Sequence, residues 1–327
     1  MSGIRKVAVI GAGVMGSGIA AHVANAGVPV LLMDIVPEGA TDRNGLAAAA
    51  IARMLKTEPA AFMTPRAAKR VEACNVEDHL GRLAEVDWII EVVIERLDAK
   101  RALYRRIDAV RRPGTAVSSN TSTIPLDALV DGMPESFRRD FLITHFFNPP
   151  RYMRLLELVT GPQTDPALAE TVADFADRRL GKSVVRCKDR PGFIANRLGI
   201  TWIQNAITAA DDLGVPVEEA DAIMGRPFGI PKTGVFGLVD LVGLDLIPHT
   251  TASLRAALPP EDAFHDSYRE MPLVSRLIAA GFTGRKGKGG FYRLNRTGGQ
   301  KTKEAIDLAS GAYRPTRKAD QIGRAHV

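Results

Sequence analysis

Four consecutive apolar residues, Val7 to Ile10, run into Gly-x-Gly-x-x-Gly, after which the apolar positions change to helical spacing at Ile19, Ala20 and Val23, with Gly27 as a helix stop. A second apolar run, Val28 to Met33, ends at Asp34. Helices are predicted over the alanine-rich segment 40–56 and over Ala67 to Cys74. Val86 to Val93 reads as a buried parallel strand, Leu97 to Val110 as a helix and Ala116 to Ser119 as a short strand. Strands at Phe141 to Thr144 and Leu155 to Val159, an amphipathic helix at Pro166 to Leu180 and a strand at Ser183 to Val185 complete the alternation. The pattern changes at Cys187 to Phe193 and becomes helical, with a first helix through about Asp211. This predicts a doubly wound α/β domain over 1–189 and an all-α domain over 190–294.

The opening turn carries chemistry. Gly11 lets the chain leave the strand sharply, Gly13 removes a side chain where a pyrophosphate must approach the backbone, and Gly16 lets the helix pack close to the sheet. With Val14 and Met15 they surround the helix N-terminus, whose unpaired N–H groups attract phosphate. Asp34, at the end of the second strand, suits a ribose 2′-hydroxyl and repels a 2′-phosphate, so NAD is favoured over NADP.

Composition narrows the classes. The chain has 327 residues, 46% hydrophobic and 24% charged, enough for two ordinary cores. Its net charge of +6 hints at a nucleic-acid partner until it is located: residues 285–327 hold 11 Lys and Arg against 3 Asp and Glu. The remainder is close to neutral, which argues against nucleic-acid binding. Cys74 and Cys187 have neither disulfide nor metal-site spacing, and no metal is expected. No membrane-length apolar run occurs, and the chain reads as cytoplasmic. Arg43, Arg53 and Lys56 could meet anionic groups of a substrate, but the first reading of each is a solvated face.

Polar clusters stand where strands end. Ser119-Asn120-Thr121-Ser122 follows one strand, His145-Phe146-Phe147-Asn148-Pro149 another, and Glu157 lies 12 positions after His145. With the glycine fingerprint, the segment Cys187 to Asn196, the stretch Phe236 to Asp245 and Gly284 to Tyr292, these make the chain similar to the 3-hydroxyacyl-CoA dehydrogenase family. It especially resembles the dehydrogenase portions of bacterial multifunctional fatty-acid β-oxidation proteins. The resemblance implies a Rossmann-type NAD-binding domain followed by an all-α (6-phosphogluconate dehydrogenase-like) helical domain, and an acyl-CoA substrate. It also implies His145 as general base oriented by Glu157, Ser122 and Asn196 around the substrate, and Glu95, Asn120 and Asn148 beside the cofactor, with Arg96 where the family has Asn.

The chemistry can be argued from the residues themselves. Oxidising a secondary alcohol with NAD needs a base for the hydroxyl proton, and an imidazole held by a carboxylate can take and return it. Donors such as Ser122 and Asn196 would stabilise charge on the ketone oxygen. A non-catalytic NAD-binding protein and a dehydrogenase of a 3-hydroxy acid without CoA stay open as alternatives. Residues 295–327 read as a basic linker with a short helical patch at Lys303 to Ala309. The last six, Ile322 to Val327, match the translation of a sequencing adaptor and are left out of fold reasoning as an expected artefact. A homodimer through the helical domain, or a missing second helical domain in cis, is expected to cover an apolar face.

Overall fold

A computed structural model describes residues 3–230, 232–296 and 301–319. The chain divides into two compact units, Met1–Ile194 and Ala195–Val327. Strands β1 (Val7–Ile10), β2 (Val30–Asp34), β3 (Val71–Asn75), β4 (Trp88–Glu91), β5 (Ala116–Ser119), β6 (Phe141–Phe146), β7 (Leu155–Thr160) and β8 (Ser183–Cys187) build the first unit. They form one sheet in the order β3-β2-β1-β4-β5-β6-β7-β8. Helices α1 (Val14–Asn25), α2 (Gly45–Met54), α3 (Pro65–Ala68), α4 (Leu97–Asp108), α5 (Leu126–Val130), α6 (Glu135–Arg139) and α7 (Pro166–Arg178) accompany it.

Because strand side chains alternate between faces, each buried strand serves two cores. Val7, Val9, Val30, Leu32, Trp88 and Ile90 join Ile19, Ala20 and Val23 of α1 in one cluster. Ala8, Ile10, Leu31, Met33 and Ile89 join Tyr104 and Ile107 of α4 in the other. The strand order reverses at β1, with β2 on one side and β4 on the other, and ligands of such sheets bind outside the carboxyl ends of the strands at that point. The same ends of β1, β4, β5 and β6 deliver Gly11, Glu95, Asn120 and Asn148. Two strands depart from this direction: β7 runs antiparallel to β6, with His145 opposite Glu157, and β8 lies parallel to β7. The short connection 147–154 dictates the reversal at β7, since a parallel crossover needs about a dozen residues or more.

The second unit contains α8 (Ala195–Asp212), α9 (Val217–Ile223), α10 (Phe236–Val242), α11 (Leu246–Ala257), α12 (Ala263–Ser267) and α13 (Pro272–Ala279). Strands β9 (Tyr292–Asn295), β10 (Thr302–Ile306) and β11 (Tyr313–Pro315) form a small antiparallel sheet in the order β11-β10-β9.

The α/β fold followed by a mainly helical unit is as the pattern predicts, with three corrections. Ala67 to Cys74 is not a helix: the chain leaves α3 and enters edge strand β3, paired with β2 from Val30 opposite Val71 to Asp34 opposite Asn75. Lys303 to Ala309 is not helical either, because β10 pairs with both neighbours and its Ala305 and Ile306 are completely buried in the unit's core. The described part of 295–327 is therefore structural rather than a linker, and adds a small sheet to the helical unit. Residues 322–327 lie outside the described residues.

Candidate active site

The turn after β1 is shaped for a dinucleotide. Gly11 has φ +109°, and a Cβ there would lie 2.4 Å from the Val92 carbonyl oxygen. A Cβ on Gly16 would lie 1.8 Å from the Gly11 carbonyl oxygen, whereas one on Gly13 would meet nothing within 4 Å. Two of these glycines are required by packing, and the third faces open space at the start of α1. No acidic residue occupies the first turn of that helix and no side chain caps it, so its N–H groups are left for an anion. Asp34 closes the cradle, one oxygen accepting from Ala12 N at 2.6 Å and the other from Ile35 N at 2.7 Å. Val14 is exposed and Met15 half-buried beside them. The residues fit NAD: glycines where the pyrophosphate would lie, an acid where a ribose would. Arg53 is not merely a solvated face, since its guanidinium approaches the Ala12 carbonyl oxygen at 3.4 Å.

On the other side of the sheet, the ladder register puts His145 and Glu157 face to face. His145 Nδ1 and Glu157 Oε2 are 2.7 Å apart, with the carboxylate completely buried and the histidine nearly so. Ile194 N donates to the other Glu157 oxygen at 3.0 Å. The carboxylate thus holds the ring by Nδ1 and presents Nε2 as the nitrogen that can exchange a proton. Phe147 and Phe193 flank the imidazole at centroid distances of 4.5 and 5.7 Å. Phe193 has φ +46°, a conformation that costs a bulky residue on the order of 1 kcal/mol or more and is kept only where the surroundings impose it. Cys187 lies buried near Glu157, and burial together with that negative charge pushes its thiol up to about 11, which removes it as a nucleophile near neutral pH.

Between cradle and dyad lies a network of acids. Glu95 accepts from the hydroxyls of Thr121 and of Thr123 (3.1 Å) and from Ser122 N at 3.3 Å, and so ties the polar loop after β5 to the loop after β4. Lys100 bridges Glu95 at 3.1 Å and the completely buried Glu91 at 2.8 Å. Although burial opposes it, the Lys100 charge and these hydrogen bonds hold the Glu95 carboxyl below its usual range. Arg96 turns away to pair with Asp98 at the surface.

The other sequence candidates fall as follows. Asn120 uses its side-chain oxygen to accept from Phe146 N at 2.9 Å, fixing the end of β6 beside His145. Asn148 is exposed in the loop after β6, Ser122 is half-exposed, and Asn196 stands in the first turn of α8, in the second unit. Sequence reasoning missed Glu91, Lys100 and Tyr104. A glutamate ending an apolar strand with a lysine and a tyrosine on the next helix was the available signal. Among the described residues, no group of histidines, cysteines and acids could hold a metal ion, and no helix is long and apolar enough to cross a membrane.

Comparison with known proteins identifies the family. Residues 6–190 match the NAD-binding domain model of 3-hydroxyacyl-CoA dehydrogenase, and residues 192–294 match the C-terminal domain model of the same family. The chain is 42% identical to a probable 3-hydroxyacyl-CoA dehydrogenase of Deinococcus radiodurans, over 90% of this chain and 84% of the relative. It is 40% identical to a putative fatty acid oxidation complex trifunctional enzyme of Rickettsia felis, over 97% of this chain but only 44% of the relative. The structure of M. tuberculosis FadB2 superposes with a TM-score of 0.74 at 32% identity, covering 89% of this chain and 99% of that one. With both family models matched end to end over a glycine cradle for NAD and a buried histidine–carboxylate pair, the chain belongs to the 3-hydroxyacyl-CoA dehydrogenase family.

Proposed function

We propose that the chain catalyses the reversible NAD-dependent oxidation of (3S)-3-hydroxyacyl-CoA to 3-oxoacyl-CoA, as a step of fatty-acid β-oxidation. The observation that carries this reading is the 2.7 Å contact between His145 Nδ1 and a completely buried Glu157, in the same unit as the dinucleotide cradle. Bound NAD supplies the hydride acceptor. His145 Nε2 takes the proton of the substrate's 3-hydroxyl as the bond from hydrogen to carbon 3 breaks, and returns it in the reverse direction. Glu157 keeps Nδ1 as donor and stabilises the imidazolium while it exists. Ser122 and Asn196 donate to the oxygen that becomes the ketone, the role the family resemblance assigns them. Glu95, Asn120 and Asn148 serve the cofactor, with Asp34 on its ribose.

The reading extends to partners. Leu241, Val242 and Leu246, which are 52%, 47% and 43% exposed, form an apolar face on α10 and α11 for a second copy of this chain or for a second helical domain in cis. A well-behaved monomer at micromolar concentration in sedimentation would defeat the homodimer. Two buried free cysteines suit a reducing, cytoplasmic setting.

The deciding experiment follows NADH absorbance with saturating acetoacetyl-CoA, wild type beside His145→Ala. Consumption by wild type alone supports the reaction and the base. Turnover of free 3-hydroxybutyrate as good as that of its CoA thioester would point to a substrate without CoA. NADH binding without any turnover would point to a non-catalytic role.

A further inference from the structure

Lys182 lies immediately before β8, only 2% exposed. Its Nζ donates to the carbonyl oxygens of Pro150 and of Met153, the latter at 2.7 Å, and stands 5.6 Å from the centroid of the Phe146 ring. Among the described residues no carboxylate pairs with it. Taking an ammonium out of water costs several kcal/mol after relaxation, so apolar packing alone would be better served by leucine or methionine. What the ammonium gains is the backbone of one loop, 147–154, which leaves His145 and carries Asn148.

Every element around Lys182 touches that loop or the dinucleotide helix. From α1, a Cβ on Gly18 would lie 3.0 Å from Pro150 Cδ, so the loop packs directly on the cofactor helix. His22, also on α1, is hydrogen-bonded through Nε2 to the Leu180 carbonyl at 3.0 Å, and its Nδ1 is buried without a partner. Burial, with Lys182 and Arg151 nearby, lowers His22 to about 4 and keeps it neutral. Arg151 points its guanidinium to the Ala60 carbonyl at 2.6 Å. The titratable group beside Lys182 is thus the neutral His22, and Arg151, which acts on the same ring, is a like charge, so neither can neutralise the ammonium.

We propose that Lys182 is a positioning residue: its ammonium fixes the 150–153 backbone and thereby sets where Asn148 stands for cofactor binding and turnover. The proposal rests on reading Asn148 as a cofactor-side residue. Burial brings the Lys182 pKa down to about 8, so the clamp is charged and complete at neutral pH and weakens as pH rises through about 8.

The test uses the full chain with Lys182→Met, which keeps the stem and removes the donors, and Lys182→Gln, which keeps an uncharged N–H donor. NADH affinity, read by fluorescence titration, is expected to fall by about 10-fold in Lys182→Met. The kcat for 3-hydroxybutyryl-CoA oxidation is expected to fall on the order of 100-fold, with Lys182→Gln recovering most of both. Wild type should lose NADH affinity above about pH 8, and Lys182→Gln should lack that limb. A folded Lys182→Met with unchanged NADH affinity and kcat overturns the proposal. If that variant does not fold, wild type and Lys182→Gln decide, and identical pH dependence overturns it. Because NADH binding needs no turnover, an inactive wild type would defeat the dehydrogenase reading and leave this readout standing.

Discussion

Glu91 at the end of β4 and Glu157 on β7 are both completely buried in the same sheet, yet their surroundings give them opposite characters. Glu91 accepts from Lys100 Nζ at 2.8 Å and from Tyr104 OH, Ser119 OH and Val93 N, each at 2.7 Å. Its partner is a lysine ammonium, and burial together with the Glu91 charge pushes the Tyr104 hydroxyl well above its usual range. Glu157 faces an imidazole instead, with a backbone N–H on its other oxygen. Its cation exists only while a proton sits on His145. A buried carboxylate matched by a lysine ammonium serves as scaffold, whereas one matched by an imidazole faces a ring that can carry a proton to or from a substrate, as the proposed chemistry requires.

The largest expected effect falls on the chemical side. His145→Ala should lower kcat on the order of 100- to 10,000-fold while NADH titration stays near wild type, and a retained rate would erase the distinction. Next is the scaffold side: Lys100→Met strands Glu91 without its cation and should cost about 3–5 kcal/mol in denaturant unfolding. An unchanged midpoint would show that Glu91 needs no fixed charge. The parallel changes sharpen the contrast. Glu157→Gln should lower kcat about 10- to 100-fold by weakening a charge-assisted hydrogen bond, and Glu91→Gln should register mainly in melting temperature. The smallest effect concerns a third acid of the sheet, at the end of β2. Asp34→Ser should weaken NADH binding about 10-fold and narrow its preference over NADPH, measured by parallel titrations.

The reactive side was far easier to read from the chain than the scaffold side. The glycine turn and Asp34 sit in local patterns whose meaning depends on residue type and short spacing, whereas His145 and Glu157 were singled out through the family resemblance. Glu91 could not be read so: its value comes from Lys100 and Tyr104, whose inward aim depends on how α4 packs, and a lysine on an amphipathic helix ordinarily reads as solvated. Lys182 hides likewise, as a polar residue opening a strand. β3 was missed because an alanine-rich run into Val71 and Cys74 has helical composition, while its pairing with β2 is a tertiary matter. β10 shows the same override, since Lys303, Glu304 and Ala305 favour helix until neighbouring strands claim their backbone.

The antiparallel turn of β7 has a consequence for anyone who would cut or rebuild this chain. His145 and Glu157 form one rung of a hairpin ladder, so the spacing between them is kept by the strands and not by the connecting loop. Lengthening the connection leaves the rung intact, but a slip of one residue in either strand sends one partner through the sheet to the opposite face. Residues 141–160 are therefore an indivisible cassette: a circular permutation or a graft onto another sheet has to carry the hairpin whole.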